Sequence, residues 1–184
     1  MKNLKADIHR YYELAGNGMP CSKIKLILSC FHPRIMPVTL LRAADYFYTH
    51  NLGILAKLFS MLNVILFGIE ISPKVKIGGG LFLPHTVGTV IGAEVIGNNV
   101  TIMQGVTIGA KESDMAFIAS RRPIIGNNVL IGAGAKIIGR VNIGDFAKIG
   151  ANAVVITDIP AYSVAVGIPA KVVRKKITID ESGV

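Results

Sequence analysis

An aliphatic residue recurs every six positions through most of the chain after residue 70, and this period limits the possible folds more than any other feature. In Ile96-Gly-Asn-Asn-Val-Thr, the aliphatic residue opens the unit and a small residue follows four places later. Such units stack into a solenoid with one continuous aliphatic column. A β-sandwich would alternate with a period of two. The sequence therefore predicts a mainly β protein built as a parallel β-helix. The units begin at Ile71, Ile77, Leu83, Ile91, Ile96, Ile102, Ile108, Ile125, Ile131, Ile137, Ile143 and Ile149.

The chain divides into two differently built modules. Before the repeat, apolar residues recur at helical spacing, which predicts an α-helical module over residues 1–68. The β-helix is expected over 69–174, with an inserted loop at 111–123 where the period is interrupted. Residues 175–184 read as a polar tail.

The longest apolar stretch runs from Leu52 to Ile71 and is interrupted by Lys57, Asn63 and Glu70. These polar residues argue against a membrane span. The stretch is interpreted as a buried interface helix, with peripheral membrane contact as the alternative.

The chain of 184 residues carries a net charge of +9. This excess favours an anionic partner such as a phosphorylated cofactor, an acidic glycan or an anionic membrane. The basic residues are dispersed and no nucleic-acid-binding motif accompanies them, so nucleic acid is not expected. Cys21 and Cys30 lack metal or redox spacing and are expected to be reduced. Because no signal-peptide pattern is present, the sequence predicts a cytoplasmic protein.

Four segments carry a family resemblance. They are GIEISPKVKIGGGLFLPHTVGTVIG, NNVTIMQGVTIGA, RRPIIGNNVLIGAGAKIIG and AKIGANAVVITDIPAYSVAVGIPAKVV. Together they resemble the hexapeptide-repeat acyltransferases, specifically the serine acetyltransferase branch with its shortened polysaccharide-biosynthesis relatives. The resemblance implies a left-handed β-helix, acetyl-CoA as co-substrate, and a homotrimer with each active site between two chains.

His85 in LPHTVGTVIG occupies the place of the family's catalytic histidine. An imidazole titrates near neutral pH, so it can accept the proton of an attacking hydroxyl. The resemblance places an orienting acid at Glu70, where the family more often has Asp. The alternative for Glu70 is a surface carboxylate at the end of the helical module.

Two departures from the family bear on the acceptor. Pro84 stands where serine-binding members have Asp, and Arg121-Arg122-Pro123 stands where they have Arg-His-Pro. Two adjacent arginines suit an acidic sugar, because a guanidinium binds a carboxylate bidentately. The sequence therefore predicts a sugar or polysaccharide-precursor acceptor, with serine O-acetylation as the alternative.

Acetyl-CoA is expected along the coil edges, where small residues permit close approach. The residues that the resemblance assigns to it are Thr107, Gly109, Ala110, Ala133, Lys148, Ala151 and Lys171. A non-catalytic scaffold, like the zinc-dependent solenoids of this fold, is the remaining alternative. His85 is the single histidine in the repeat, which is too few for a zinc site, so no metal is expected.

Overall fold

The computed structural model describes residues 2–16, 22–112 and 116–175, and over these ranges the chain forms four α-helices and fourteen β-strands. The helices are α1 (Lys2–Leu14), α2 (Lys23–Ser29), α3 (Met36–Thr49) and α4 (Gly53–Phe67). The strands are β1 (Ile69–Ile71), β2 (Lys76–Ile77), β3 (Thr89–Ile91), β4 (Val95–Ile96), β5 (Thr101–Ile102), β6 (Thr107–Gly109), β7 (Ile124–Ile125), β8 (Leu130–Ile131), β9 (Lys136–Ile138), β10 (Asn142–Ile143), β11 (Lys148–Ile149), β12 (Val154–Val155), β13 (Ser163–Val166) and β14 (Lys171–Lys175). The predictions for Cys21, for residues 113–115 of the inserted loop and for the tail from residue 176 lie outside the described residues.

Successive strands from β1 to β13 lie on different faces, so the chain winds as a three-sided coil. The first face has the strand order β1-β3-β6-β9-β12, the second β10-β7-β4-β2 and the third β14-β13-β11-β8-β5. Neighbouring strands pair in parallel, except that β14 returns antiparallel to β13. The fold is the predicted left-handed parallel β-helix preceded by helices.

The aliphatic residues that open the repeat units form the core. On the first face, Ile71 is in register with Ile91, and Ile108 follows on the next strand. Except for the half-buried Ile77, every unit-opening residue is at most 5% exposed. Full burial of one such side chain contributes roughly 1.5–3 kcal/mol, so the column is the main source of stability.

Asparagine and glycine form the tight corners between the second and third faces. Asn99 and Asn128 have φ values of 56°, in the left-handed region that asparagine tolerates better than most residues. Their neighbours form a ladder, because Asn127 Oδ1 accepts from Asn98 N and Asp145 Oδ1 accepts from Asn127 N, over 2.9 and 2.7 Å. The Asn-Asn pairs therefore both turn the chain and link successive coils.

The helical module closes the first end of the coil. Helix α4 ends at Gly68, whose left-handed backbone (φ 60°) lets the chain turn directly into β1. Helix α1 approaches the first coil closely, since a Cβ on Gly79 would lie 2.9 Å from Ala6 Cβ. Among the described helices, none has both the length and the apolar character needed to cross a membrane.

Candidate active site

His85 lies on a break in the repeat. Ile91 follows Leu83 by eight positions instead of six, and the two extra residues bulge from the coil ahead of β3. His85 is exposed, and Val87, which would be buried in an unbroken unit, is 74% exposed. The break thus presents an imidazole to solvent beside a rigid sheet.

Two hydrogen bonds fix this loop to the end of the helical module. Thr86 Oγ1 donates to Phe67 O over 2.8 Å, and Gly88 N donates to Gly68 O over 2.9 Å. A short, anchored loop holds the neighbouring His85 backbone in place, which is what a general base requires.

Glu70 lies on β1, in the strand that follows this anchor. Its side chain is exposed between the buried Ile69 and Ile71, so it points away from the core. Across the described residues, no hydrogen bond or ion pair joins Glu70 to His85. The orienting role of Glu70 stays a prediction.

The outward positions of the first face form one row. Register pairs Glu70 with Val90, Val90 with Thr107, Thr107 with Lys136 and Lys136 with Val154. The row runs along the edge from which the strands start, the edge on which His85 also lies. Thr107 is therefore two strands from Glu70, at about 4.8 Å per strand.

Lys136 is a residue that the sequence analysis missed. Its half-buried side chain donates from Nζ to Gly105 O, and Gly105 N donates to Val87 O over 3.1 Å. Two hydrogen bonds through Gly105 therefore connect the Lys136 ammonium group to the loop that carries His85. The sequence does not distinguish Lys136 from Lys76 and Lys148, because all three lysines directly precede the isoleucine that opens a repeat unit. Only the structure shows that the Lys136 side chain folds back onto the coil.

The two arginines lie in different environments. Arg122 is 8% exposed, donates from Nη1 to Gly92 O over 2.9 Å and stacks on Phe117 at 3.9 Å. Arg121 is exposed at the end of a short 3₁₀ turn (Ala119–Arg121). Arg122 therefore packs the inserted loop onto the coil, whereas Arg121 faces solvent, and the acceptor-binding role of the two arginines stays a prediction.

Within one chain, His85 and the arginines lie at opposite edges of the first face. His85 precedes β3, whereas Gly92, the partner of Arg122, follows it. A three-residue strand spans about 10 Å. The residues assigned to acetyl-CoA divide similarly: Ala133 and Ala151 lie at corners on the His85 edge, and Ala110 lies on the arginine edge beside Gly109.

Gly109 has space around it that the described residues of its own chain do not fill. A Cβ on Gly109 would meet no heavy atom within 4 Å, and its backbone lies outside the left-handed region. By contrast, a Cβ on Gly132 would lie 2.6 Å from Ala151 N. Gly109 is thus not needed for packing or for a turn, and its open surface fits close approach of a ligand.

The remaining acetyl-CoA candidates are solvent-facing. Lys148 is exposed at the start of β11, and Lys171 is exposed at the start of β14, opposite Val166. Metal-ligating side chains form no group of three or more within residues 2–16, 22–112 and 116–175.

Known proteins resemble the chain over nearly its whole length. The serine acetyltransferase of Helicobacter pylori (strain ATCC 700392 / 26695) is 41% identical over 157 residues, covering 85% of this chain and 90% of the relative. The crystal structure of Neisseria gonorrhoeae serine acetyltransferase in complex with serine superimposes with a TM-score of 0.77 at 34% identity, covering 94% of this chain and 68% of that chain. Serine acetyltransferase from Brucella abortus strain S19, in complex with coenzyme A, gives a TM-score of 0.79 at 29% identity, covering 95% and 68%.

The family model for the bacterial transferase hexapeptide (six repeats) matches residues 122–157. The three-faced β-helix and this match define the protein as a hexapeptide-repeat transferase. With a relative this similar over 90% of its length, the chain belongs to the serine acetyltransferase family. It is an acetyl-CoA-dependent acyltransferase, as the sequence predicted.

The predicted sugar or polysaccharide acceptor is wrong. The relatives described above are serine acetyltransferases, which supports the alternative. The physical reason for the error is clearest at Arg122, because a buried arginine that packs a loop carries no information about the acceptor. Pro84 is half-buried within the His85 loop, and its replacement of Asp does not by itself define another acceptor.

Proposed function

We propose that the protein is a serine O-acetyltransferase, which transfers the acetyl group of acetyl-CoA to the serine hydroxyl. The observation that carries the proposal is His85, exposed on an anchored break in the coil of a chain that belongs to this family. An alcohol is a weak nucleophile at neutral pH, so the reaction needs a base at this position.

In the proposed reaction, His85 accepts the proton of the serine hydroxyl while its oxygen attacks the thioester carbonyl carbon. The tetrahedral intermediate collapses, the carbon–sulfur bond breaks, and the imidazolium returns its proton to the departing CoA thiolate. Hydrogen-bond donors that face the developing oxyanion lower the barrier. Glu70 serves as the acid that orients the imidazole, by analogy with the acid of a catalytic triad.

The acetyl-CoA molecule is assigned to the open edges of the first face. Gly109 and Ala110 give the pantetheine arm room on the arginine edge, and Thr107, Ala133 and Ala151 line the His85 edge. Lys148 and Lys171 are the cations assigned to the phosphates. Arg121 is retained as an acceptor-binding residue because it is exposed.

A homotrimer completes this proposal. His85 and Arg121 lie at opposite edges of one face, so a neighbouring chain that brings its strand-end edge to the His85 edge would unite them. We further place the enzyme in the cytoplasm, in keeping with the free thiol of Cys30.

The test is CoA release, followed with a thiol reagent, in the presence of acetyl-CoA and L-serine. The wild type is expected to turn over serine, and His85→Ala is expected to lower kcat by about 10²–10⁴-fold, the usual contribution of a general base. His9→Ala is the matched control, since His9 is an exposed histidine on α1.

Two results would contradict the proposal. Absence of serine turnover by the wild type would remove serine as the acceptor. If His85→Ala and the control His9→Ala both turned over serine at the wild-type rate, His85 would not be the base.

A further inference from the structure

Helix α4 presents an apolar face to solvent. Its residues at positions i, i+4, i+7 and i+11 fall on one side of the helix. These are Ile54, Leu58, Met61 and Ile65, exposed by 86%, 43%, 53% and 67%. The opposite side is the packed one, because Ala56 and Asn63 are buried and Asn63 Nδ2 donates to Pro37 O over 3.0 Å.

Helix α2 repeats this arrangement beside the same part of α3. Ile24, Ile27 and Leu28 are exposed by 71%, 61% and 62%, and Phe31, just after the helix, by 68%. The end of α2 meets the start of α3, because Thr39 Oγ1 donates to Cys30 O over 3.2 Å. Asn63 attaches α4 to the same first turn of α3, so both α2 and α4 adjoin one end of that helix.

The charged residues on these two helices are all of one sign. Residues 23–29 and 53–67 contain three lysines and no acidic residue. Lys25 and Lys57 are exposed beside the apolar side chains. Long lysine stems can lie along an apolar surface and keep the ammonium group in a polar layer.

This pattern distinguishes between two occupants. A second copy packed face to face would bring lysines together without acidic side chains to pair with them, which is unfavourable at an interface. A bilayer with anionic headgroups accepts the apolar residues at its acyl boundary and pairs with the lysines at the surface. An exposed apolar area of this extent on a water-facing protein marks an interaction site.

We propose that α2 and α4 form a lipid-docking surface, which binds the protein peripherally to an anionic membrane. The apolar residues enter the headgroup–acyl boundary and Lys25 and Lys57 contact the headgroups. This surface acts independently of the chemistry at His85, and a membrane-bound enzyme would release its product next to the bilayer.

The test is co-sedimentation of the full chain with vesicles of phosphatidylcholine alone and with about one third phosphatidylserine. Binding to the anionic vesicles is expected, with a partition coefficient at least tenfold higher than for the neutral ones. The double variant Ile54→Glu/Ile65→Glu is expected to lose this binding by more than tenfold. Ile156→Glu is the matched control, because Ile156 is 56% exposed on the β-helix. Lys25→Gln/Lys57→Gln should weaken the anionic preference by about 30-fold, at about 1 kcal/mol per lysine near a charged surface.

Circular dichroism establishes that each variant is folded, and sedimentation velocity gives the mass of each assembly. The proposal is overturned if the wild type does not bind anionic vesicles, or if Ile156→Glu loses binding as much as the double variant does. It is also overturned if the double variant lowers the assembly mass while vesicle binding is unchanged, since the face would then be covered by a second copy. Serine turnover in the same samples separates this outcome from any failure of the catalytic proposal.

Discussion

Asp7 and Arg42 form a buried bidentate ion pair that connects α1 to α3. Arg42 Nε and Nη2 donate to Asp7 Oδ2 and Oδ1 over 2.8 and 3.0 Å, and the two side chains are 9% and 2% exposed. Leu81 N donates to Asp7 Oδ1 over 2.8 Å, and Arg42 Nη1 donates to Ile77 O over 2.8 Å. The pair thus attaches both helices to the first coil of the β-helix.

Arg42→Met should therefore destabilise the protein strongly. The change leaves the Asp7 carboxylate buried without its counter-charge, which costs about 3–5 kcal/mol. Urea denaturation followed by circular dichroism measures the change in the free energy of unfolding.

The double variant Asp7→Leu/Arg42→Met separates the cost of an unpaired charge from the value of the pair. Removing both charges should recover part of the loss, because no uncompensated charge remains buried. If Arg42→Met unfolded at the same urea midpoint as the wild type, this account would be contradicted.

Lys136→Met should lower kcat by about 10–100-fold with little change in either KM. Without the ammonium, Gly105 O loses its donor and the turn that supports Val87 loosens, and small displacements of a catalytic group cost rates of this order. Steady-state kinetics with varied serine and acetyl-CoA measures the effect on kcat separately from the effect on the KM of each substrate.

Lys76→Met is the matched control, because Lys76 occupies the equivalent position of the repeat on the second face and is exposed. Lys136→Arg should restore part of kcat, since it keeps a donor and a charge. Equal effects of the two methionine variants would show that Lys136 has no special role in the site.

Gly109→Leu should raise the KM for acetyl-CoA by about tenfold or more and leave stability near the wild-type value. The new side chain has room, because a Cβ meets no heavy atom of residues 2–16, 22–112 and 116–175 within 4 Å, but it would occupy the surface assigned to the pantetheine arm. Kinetics at saturating serine gives this KM, and urea denaturation gives the stability.

Gly126→Ala is the comparison variant, because it is expected to change stability and not the KM for acetyl-CoA. Its Cβ would lie 2.9 Å from Asp145 N, so this variant should lose stability without a selective change in the KM for acetyl-CoA. Loss of stability in Gly109→Leu equal to that in Gly126→Ala would contradict the open-surface interpretation.

Asp158 should stabilise the protein at neutral pH and lose this effect in acid. The Asn142 backbone N–H, which donates over 2.7 Å, and then the Asn142 side-chain amide lower the pKa of this carboxyl below its ordinary value. Because the folded-state pKa is the lower one, the stabilisation is complete above the ordinary aspartate pKa and disappears as the pH falls through the folded-state value.

Asp158→Asn measures this contribution. The stability difference between wild type and variant should be small, since Asp158 is exposed, and should shrink as the pH falls from 6 toward 2. A difference that is constant over this range would show that ionisation of Asp158 is not its source.

Much of the candidate site could be predicted from the sequence because it is local. The motif around His85 and the irregular spacing from Leu83 to Ile91 lie in one short segment, and the loop there follows directly from that spacing. Gly109 was named from the sequence as well. Its open surface was not, because whether a Cβ has neighbours depends on the adjacent coils.

The contacts made by long side chains were not accessible in this way. Arg122 could lie in solvent or on Phe117, and Lys136 could point outward like Lys76 or fold back onto Gly105. Nothing in either residue's neighbours along the chain favours one rotamer over another. That uncertainty led to the wrong prediction about the acceptor and to the omission of Lys136.

The sequence by itself determined the β-helix, its aliphatic column and the helical module before it, since a six-residue period repeats the same local choice in every coil. The tertiary structure alone decided which edge each charged side chain occupies, which arginine is buried and which helix faces stay exposed. These outcomes depend on packing between residues far apart in the chain, as when Asp7 meets Arg42, and local periodicity does not encode them.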